Sequence, residues 1–315
     1  MTIAPRPNRR RFLAAVIATA SAAVLVACGS TTTDAAGGPD TRVVQHAMGE
    51  STVPVAPKRV VVIDSPHLDA LVALGITPVG ATVSAANDGF PGYLRDQLGG
   101  TTSVGSTTSP NVEAIAALRP DLIIGSKVRH EKLYAQLSGI APTVFSEDSG
   151  TNWKEQATVT AAAVNRTDEM AAKLAALDAR AVAVGKQVGA PGTTLSIVRF
   201  RATAFRLYGP ETFSGSVITA MGFTIPQKAW NEYSMVELSP ERFDEINGDT
   251  VFHTRGAGAD PTAETVTTRW GALPAVAAGR AFAVEDETWM VGIGVIGAGR
   301  IIDDVQRLVK PVARP

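Results

Sequence analysis

The stretch Ser109-Pro110-Asn111-Val112-Glu113-Ala114-Ile115-Ala116-Ala117-Leu118-Arg119-Pro120-Asp121-Leu122-Ile123-Ile124-Gly125-Ser126 decides how this chain folds. Asn111 is placed to cap a helix whose apolar face is Val112, Ile115, Ala116 and Leu118. Arg119-Pro120 ends that helix, because a proline ring disfavours α geometry in the residue before it. Leu122–Ile124 then reads as a short core strand, and Gly125-Ser126 as the loop at its carboxyl end. In α/β sheets, ligands bind at that end of the strands.

The pattern recurs without gaps from Glu241 to His253. Glu241 stands 128 positions after Glu113, and Asp249 stands 128 after Asp121. Phe243, Ile246 and Val251 take the places of Ile115, Leu118 and Ile123. Upstream, Ala73-Leu74-Gly75-Ile76-Thr77-Pro78 is echoed by Ala220-Met221-Gly222-Phe223-Thr224-Ile225-Pro226 at an offset of 147. The unequal offsets mean divergent halves with an insertion, not a short-period solenoid. Two similar α/β lobes with a ligand cleft between them are the expected architecture.

The 315 residues, 45% hydrophobic and 19% charged, suffice for one large or two medium cores. A formal net charge of −1 offers nothing to attract nucleic acid, and no such partner is expected. The single cysteine excludes an internal disulfide. Arg6, Arg9, Arg10 and Arg11 precede the apolar run 12–27, which is shorter than the ~20 residues a spanning helix needs. Asn8–Leu13 resembles a twin-arginine export signal, and Leu25-Val26-Ala27-Cys28 a bacterial lipobox, whose cysteine becomes the lipidated N-terminus. We therefore expect a signal over 1–28, a Gly/Ser/Thr-rich tether over 29–41, and a lipoprotein. Its lipid anchor on Cys28 would hold it to the membrane, at the outer face of the cytoplasmic membrane.

The first lobe is expected over 42–165. Val43–His46 reads as an edge strand or hairpin arm, followed by strands at Val60–Ile63, Pro78–Thr82, Leu122–Ile124 and Thr143–Phe145. Helices fall between them at Leu68–Leu74 and Lys132–Leu137, an alternation that predicts mainly parallel sheets. Residues 166–190 form one long helix: Thr167–Gln187 is alanine-rich and proline-free, with Asp168 and Glu169 in its first turn. A single rigid connector predicts limited relative motion of the lobes. The second lobe, 191–315, repeats the scheme with strands at Thr194–Phe200, Phe223–Ile225, Thr250–Phe252 and Ala281–Val284. Its helices are Val217–Met221 and a closing one near Gly299–Val309.

With these pieces in order, the chain resembles the substrate-binding proteins of iron–siderophore ABC transporters, a group that also holds ferric-citrate, haem and cobalamin binders. The resemblance rests on Arg59–Asp64, Leu71–Gly80, Asn111–Gly125, Ile140–Phe145, Leu238–Phe243, Trp270–Val276 with Gly279–Phe282, and Ile302–Asp304. It implies two lobes joined by a long helix, no intrinsic cofactor, and one ferric siderophore carried between the lobes to an ABC-transporter permease. Haem is the leading alternative ligand, and a monomer is expected. The resemblance further implies that Glu113 and Glu241 dock on permease arginines; the plainer reading is complementation of a helix dipole.

The cleft-facing loops supply the ligand contacts. Arg199, Arg201 and Arg206, interleaved with Phe200, Phe205 and Tyr208, would suit an anionic iron chelate with rings to stack on. The alternative is a solvated β-hairpin. Trp153, Trp230 and Trp289 fall outside clear helix or strand periods and divide between cleft lining and core, whereas Trp270 is expected in the core. His67 and His130, with Tyr93 or Tyr233, could ligate ferric iron or haem. A hexadentate siderophore would leave them no open position.

Enzymatic readings are poor. Gly292-Ile293-Gly294-Val295-Ile296-Gly297 has the spacing of a dinucleotide site but lies too near the C-terminus for a following βαβ unit. Neither Gly-x-Ser-x-Gly nor His-Glu-x-x-His occurs, and Asp64, Ser65 and His67, within four consecutive positions, cannot form a triad. No catalytic residue and no resident metal are expected. A cobalamin binder, a surface-anchored hydrolase and a structural lipoprotein are the remote alternatives.

Overall fold

The computed structural model describes residues 40–84 and 89–310. The expected signal, Cys28 and nearly all of the tether lie outside the described residues, as does most of the loop 84–88. The strands are β1 (Thr41–His46), β2 (Gly49–Pro54), β3 (Val60–Val62), β4 (Gly80–Val83), β5 (Thr102–Ser106), β6 (Ser109–Pro110), β7 (Leu122–Ser126) and β8 (Thr143–Ser146). They continue with β9 (Leu195–Phe200), β10 (Phe205–Tyr208), β11 (Met235–Leu238), β12 (Thr250–Arg255) and β13 (Ala281–Ala283). The first sheet runs β6-β5-β4-β3-β7-β8 and is parallel apart from the β5–β6 pair. The second runs β11-β10-β9-β12-β13, with β9, β12 and β13 parallel and β10 and β11 antiparallel. β1 and β2 form a separate hairpin, so Val43–His46 is a hairpin arm.

The repeat becomes physical here. β7 lies between β3 and β8, and β12 between β9 and β13, so each copy supplies an interior strand. Asp121 accepts from the backbone N–H of Lys58 (2.6 Å) and Arg59 (2.8 Å), just ahead of β3. Its counterpart Asp249 accepts from Thr194 N–H (2.9 Å) and Oγ1 (2.7 Å), just ahead of β9. Each carboxylate thus pins the start of the neighbouring strand. Gly75 and Gly222, 147 apart, both take positive φ (71° and 96°) and close their helices alike. Ile76 N–H returns to Leu71 O (2.9 Å) and Phe223 N–H to Ile218 O (3.3 Å).

Some expectations need correction. Asn111 does cap the helix Val112–Ala117, accepting from Ala114 N–H at 3.0 Å, but only Ile115 of the expected apolar face is fully buried and Ala116 faces solvent. The second copy forms only a 3-10 stretch, Pro240–Glu245, because Ser239 makes no side-chain cap and Arg242 leaves helical geometry. Phe223–Ile225 is not a strand; Thr194 and Thr224 make one isolated bridge, since Pro226 has no N–H with which to extend a ladder. The helix expected over Leu68–Leu74 begins earlier, at Ser65: Asp64 caps Ser65–Ala73 and His67 is inside it.

The long helix Thr167–Val188 has 22 residues, ~33 Å at 1.5 Å each. Against it packs the closing helix Val295–Leu308, which buries Ile301, Ile302 and Val305. The helix Ser65–Ala73 meets the N-terminus of that closing helix, and the glycine run finds its use there. The fully buried Asp69 carboxylate accepts from Ile296 N–H (2.9 Å), Gly297 N–H (3.0 Å) and the Tyr93 hydroxyl (3.0 Å). A Cβ on Gly294 would collide with that carboxylate, and one on Gly292 would sit 2.8 Å from the Tyr93 ring. The spacing that resembles a dinucleotide site therefore lets an internal carboxylate reach a helix N-terminus. Among the described residues no helix is long and apolar enough to cross a membrane.

Candidate ligand-binding cleft

A cavity of about 410 Å³ opens between loops that follow strands of both sheets. The first-sheet side contributes Val128, Arg129 and Ser149–Thr151; the second contributes Tyr208, Thr212–Ser214, Tyr233, Met235, Trp289, Met290 and Ile293. Local chemistry holds these walls. Thr212 caps the helix Phe213–Ala220, with Gly215 N–H donating to its Oγ1 at 3.1 Å. The π-helical turn Glu287–Val291 carries Trp289, which stacks on Phe252 (4.7 Å, 20°) and donates Nε1–H to Asp304 at 2.9 Å. Arg129, the one charged side chain among the described residues of a wall that is otherwise apolar, aromatic and hydroxyl-bearing, donates to Ser149 Oγ (3.0 Å) and pairs with buried Asp64 at 3.4 Å. Such a cavity suits a bulky ligand with apolar flanks and few polar anchors.

A second cavity, about 570 Å³, lies at the carboxyl ends of β9, β12 and β13. Its wall includes Arg199, His253, Arg255, Glu285, Asp286 and Glu287. Arg199 forms a bidentate pair with Asp286, Nε to Oδ1 at 2.8 Å and Nη2 to Oδ2 at 2.6 Å. Burial works against the guanidinium charge, but the Asp286 carboxylate outweighs it and pushes the Arg199 pKa up.

The predicted site residues divide. Tyr208 and Tyr233 line the first cavity and Arg199 the second, whereas Trp289 is fully buried directly behind the wall of the first. Arg201 lies beyond the end of β9, and its side chain is on neither wall. Arg206 faces Glu237 across the β10–β11 ladder and pairs with it at 2.6 Å, which makes this segment a hairpin with a surface ion pair. Trp153 is core: it donates Nε1–H to Ser216 Oγ (3.0 Å) and meets Phe213 edge-on. Trp230 packs against both apolar clusters of the second lobe. Trp270 is half-buried against His253 and Phe200, as expected of a core anchor.

His67 is fully buried between Thr160 Oγ1 (2.7 Å) and Ser146 Oγ (3.1 Å), and burial lowers its pKa to about 4. His130 accepts weakly from Ser126 N–H (3.4 Å) and donates Nε2–H to Thr107 O (2.9 Å); burial lowers its pKa too. Tyr93 is tied to Asp69, and burial raises its pKa. These three serve the fold. Glu113 and Glu241 are exposed in the first turns of their short helices. Arg129 and Met290 lie on the strand-end loops Ser126–His130 and Glu285–Met290, which the sequence offers for ligand contact without marking either residue; Met235 carries no such signal.

The Bacillus subtilis probable siderophore-binding lipoprotein YfiY is 38% identical over 303 residues, which cover 90% of this chain and 93% of that protein. The Escherichia coli Fe(3+) dicitrate-binding periplasmic protein FecB is 29% identical over 276 residues, covering 84% and 89%. Staphylococcus aureus SirA, in its crystal structure complexed with staphyloferrin B, aligns with a TM-score of 0.77 at 30% identity, over 85% of this chain and 98% of SirA. The periplasmic binding protein family model matches residues 60–288, and this chain, with its mainly parallel first sheet, its mixed second sheet and the cavity between their loops, belongs to that family.

Proposed function

We propose that the protein is an extracytoplasmic solute-binding lipoprotein that captures a ferric siderophore and delivers it to an ABC-transporter permease for iron uptake. The observation that carries this reading is the cavity of about 410 Å³ walled from both sheets, apolar and aromatic with Arg129 at one side. Relatives named for siderophore and ferric dicitrate binding support it. Haem is disfavoured on chemical grounds. A siderophore fills the coordination shell of iron, whereas haem needs an axial ligand from the protein. His67, His130 and Tyr93 are committed inside the fold, which leaves Tyr233 of the four side chains considered.

In this reading residues 42–165 and 191–315 are the lobes around the helix 166–190, and the protein acts as a monomer. Cys28 carries the lipid, and the exposed Glu113 and Glu241 dock on the permease. Fluorescence titration tests the function, because Trp289 is buried directly behind the cavity wall, close enough for a ferric chelate to quench it. A ferric siderophore should quench emission and raise the melting temperature by mass action. If no ferric siderophore does either, while haem binds with a Soret shift that Tyr233→Ala abolishes, the assignment moves to haem. Reversing Glu113 and Glu241 to lysine should stop uptake at unchanged ligand affinity, and Cys28→Ala should release the protein from the membrane.

A further inference from the structure

We propose that Asp286 sets the charge selectivity of the cleft by competing with the cargo for Arg199; this rests on the siderophore reading above. Arg199 and Asp286 have side chains 17% and 18% exposed on the wall of the second cavity, shielded from bulk solvent yet open to a ligand. That cavity adjoins the first: the turn Glu287–Val291 walls both, and Arg199 is hydrogen-bonded to the side chain of Tyr208, which lines the first. Asp286 engages Nε and Nη2 together, the fork by which arginine takes a carboxylate. Its Oδ1 also accepts from Thr254 Oγ1 at 2.7 Å. The carboxylate therefore stands where a carboxylate of the cargo would stand.

The surrounding charge points the same way. Two arginines, Arg199 and Arg255, face three acids, Glu285, Asp286 and Glu287, along this wall, and Arg255 is itself paired with Asp260. An anionic chelate meets no unpaired guanidinium there and must displace Asp286; a neutral one need not. The pair is not required to pin its loop, because Val284 N–H donates to His253 O (3.0 Å) and Gly92 N–H to Glu287 (2.8 Å) on either side of it. His253 on the same wall is 9% exposed and has an Nδ1 buried without a partner, polar capacity that the fold leaves unspent.

The test compares dissociation constants for ferric citrate (anionic) and ferrichrome (a neutral trihydroxamate), read by tryptophan quenching at fixed pH and salt. Asp286→Asn keeps the shape and removes the charge, and should raise the preference for ferric citrate over ferrichrome at least tenfold. Thr254→Val, which loosens Asp286, should move the preference the same way by a few-fold. In an Arg199→Gln background Asp286→Asn should have no effect on the ratio, as a double-mutant cycle requires of a direct competition. Thermal melts verify folding, and Thr254→Val carries the test if Asp286→Asn does not fold. An unchanged or lowered ratio, or an equal gain without Arg199, overturns the proposal while leaving the siderophore reading intact. If the wild type binds neither chelate, the same comparison is made with an anionic and a neutral ferric siderophore drawn from those that quench it, and if none quenches it the siderophore reading falls and the selectivity claim with it.

Discussion

Asp69 offers the sharpest test of how the lobes are held. Its carboxylate, fully buried, accepts from two backbone N–H groups of the closing helix and from the Tyr93 hydroxyl. Asp69→Ala would leave three donors unsatisfied at ~1–3 kcal/mol each. Against that, burial raises the Asp69 pKa from the ordinary 3.8 to about 6, so removing the ionised group at pH 7 returns roughly 3 kcal/mol. The net expectation is a loss of ~3 kcal/mol, read as a lower urea midpoint, or as a melting temperature ~6–12 °C lower for a domain of this size. Asp69→Asn keeps one acceptor oxygen but turns an amide donor towards the groups that the other oxygen serves, a cost that loss of the buried charge offsets, so it should lie within ~1 kcal/mol of wild type at pH 7. The pH dependence gives the sign. A carboxyl whose folded pKa is raised binds its proton more tightly folded than unfolded, so its contribution falls as pH climbs from about 4 to 6. The stability difference between wild type and Asp69→Asn should therefore fall by ~3 kcal/mol across that window. Taking the difference cancels the histidines that titrate nearby. An Asp69→Ala protein within ~1 kcal/mol of wild type, together with a flat difference curve, would refute the tie.

Four further outcomes are expected. Gly294→Ala forces a Cβ into the Asp69 carboxylate and should cost ~1–3 kcal/mol of unfolding free energy in urea. His67 and His253 both have pKa values lowered by burial from 6.5 to about 4, so the stability each contributes is complete above pH 6.5 and lost as pH falls towards 4. His67→Gln should flatten part of that acid limb while leaving ferric-siderophore affinity nearly intact. Trp153→Phe removes the bond to Ser216 and should lower stability by ~1 kcal/mol without changing cargo affinity, as befits a core residue. Tyr233→Ala, 56% exposed on the cavity wall, should do the reverse: roughly tenfold weaker ferric-siderophore binding by fluorescence, with an unchanged melt.

Elements whose causes are local could be read from the order of residues alone. The interior strands Leu122–Ser126 and Thr250–Arg255 were legible as short apolar runs, and the 22-residue helix Thr167–Val188 as an alanine-rich run without proline. The helix-ending glycines Gly75 and Gly222 were legible because a left-handed residue closing a helix is a property of a few neighbouring positions. The internal repeat survived for the same reason, with Asp121 and Asp249 performing one task in both copies. Tertiary structure decided the site. Whether Arg199 offers its charge to a ligand depends on Asp286, 87 residues away, and whether Trp153 is wall or core depends on Ser216, 63 residues away. The glycine run gained its meaning from Asp69, 228 residues from Gly297. A side chain's type states which bonds it can make, but only packing brings the partner that takes them, and desolvation then settles which charges remain for a ligand.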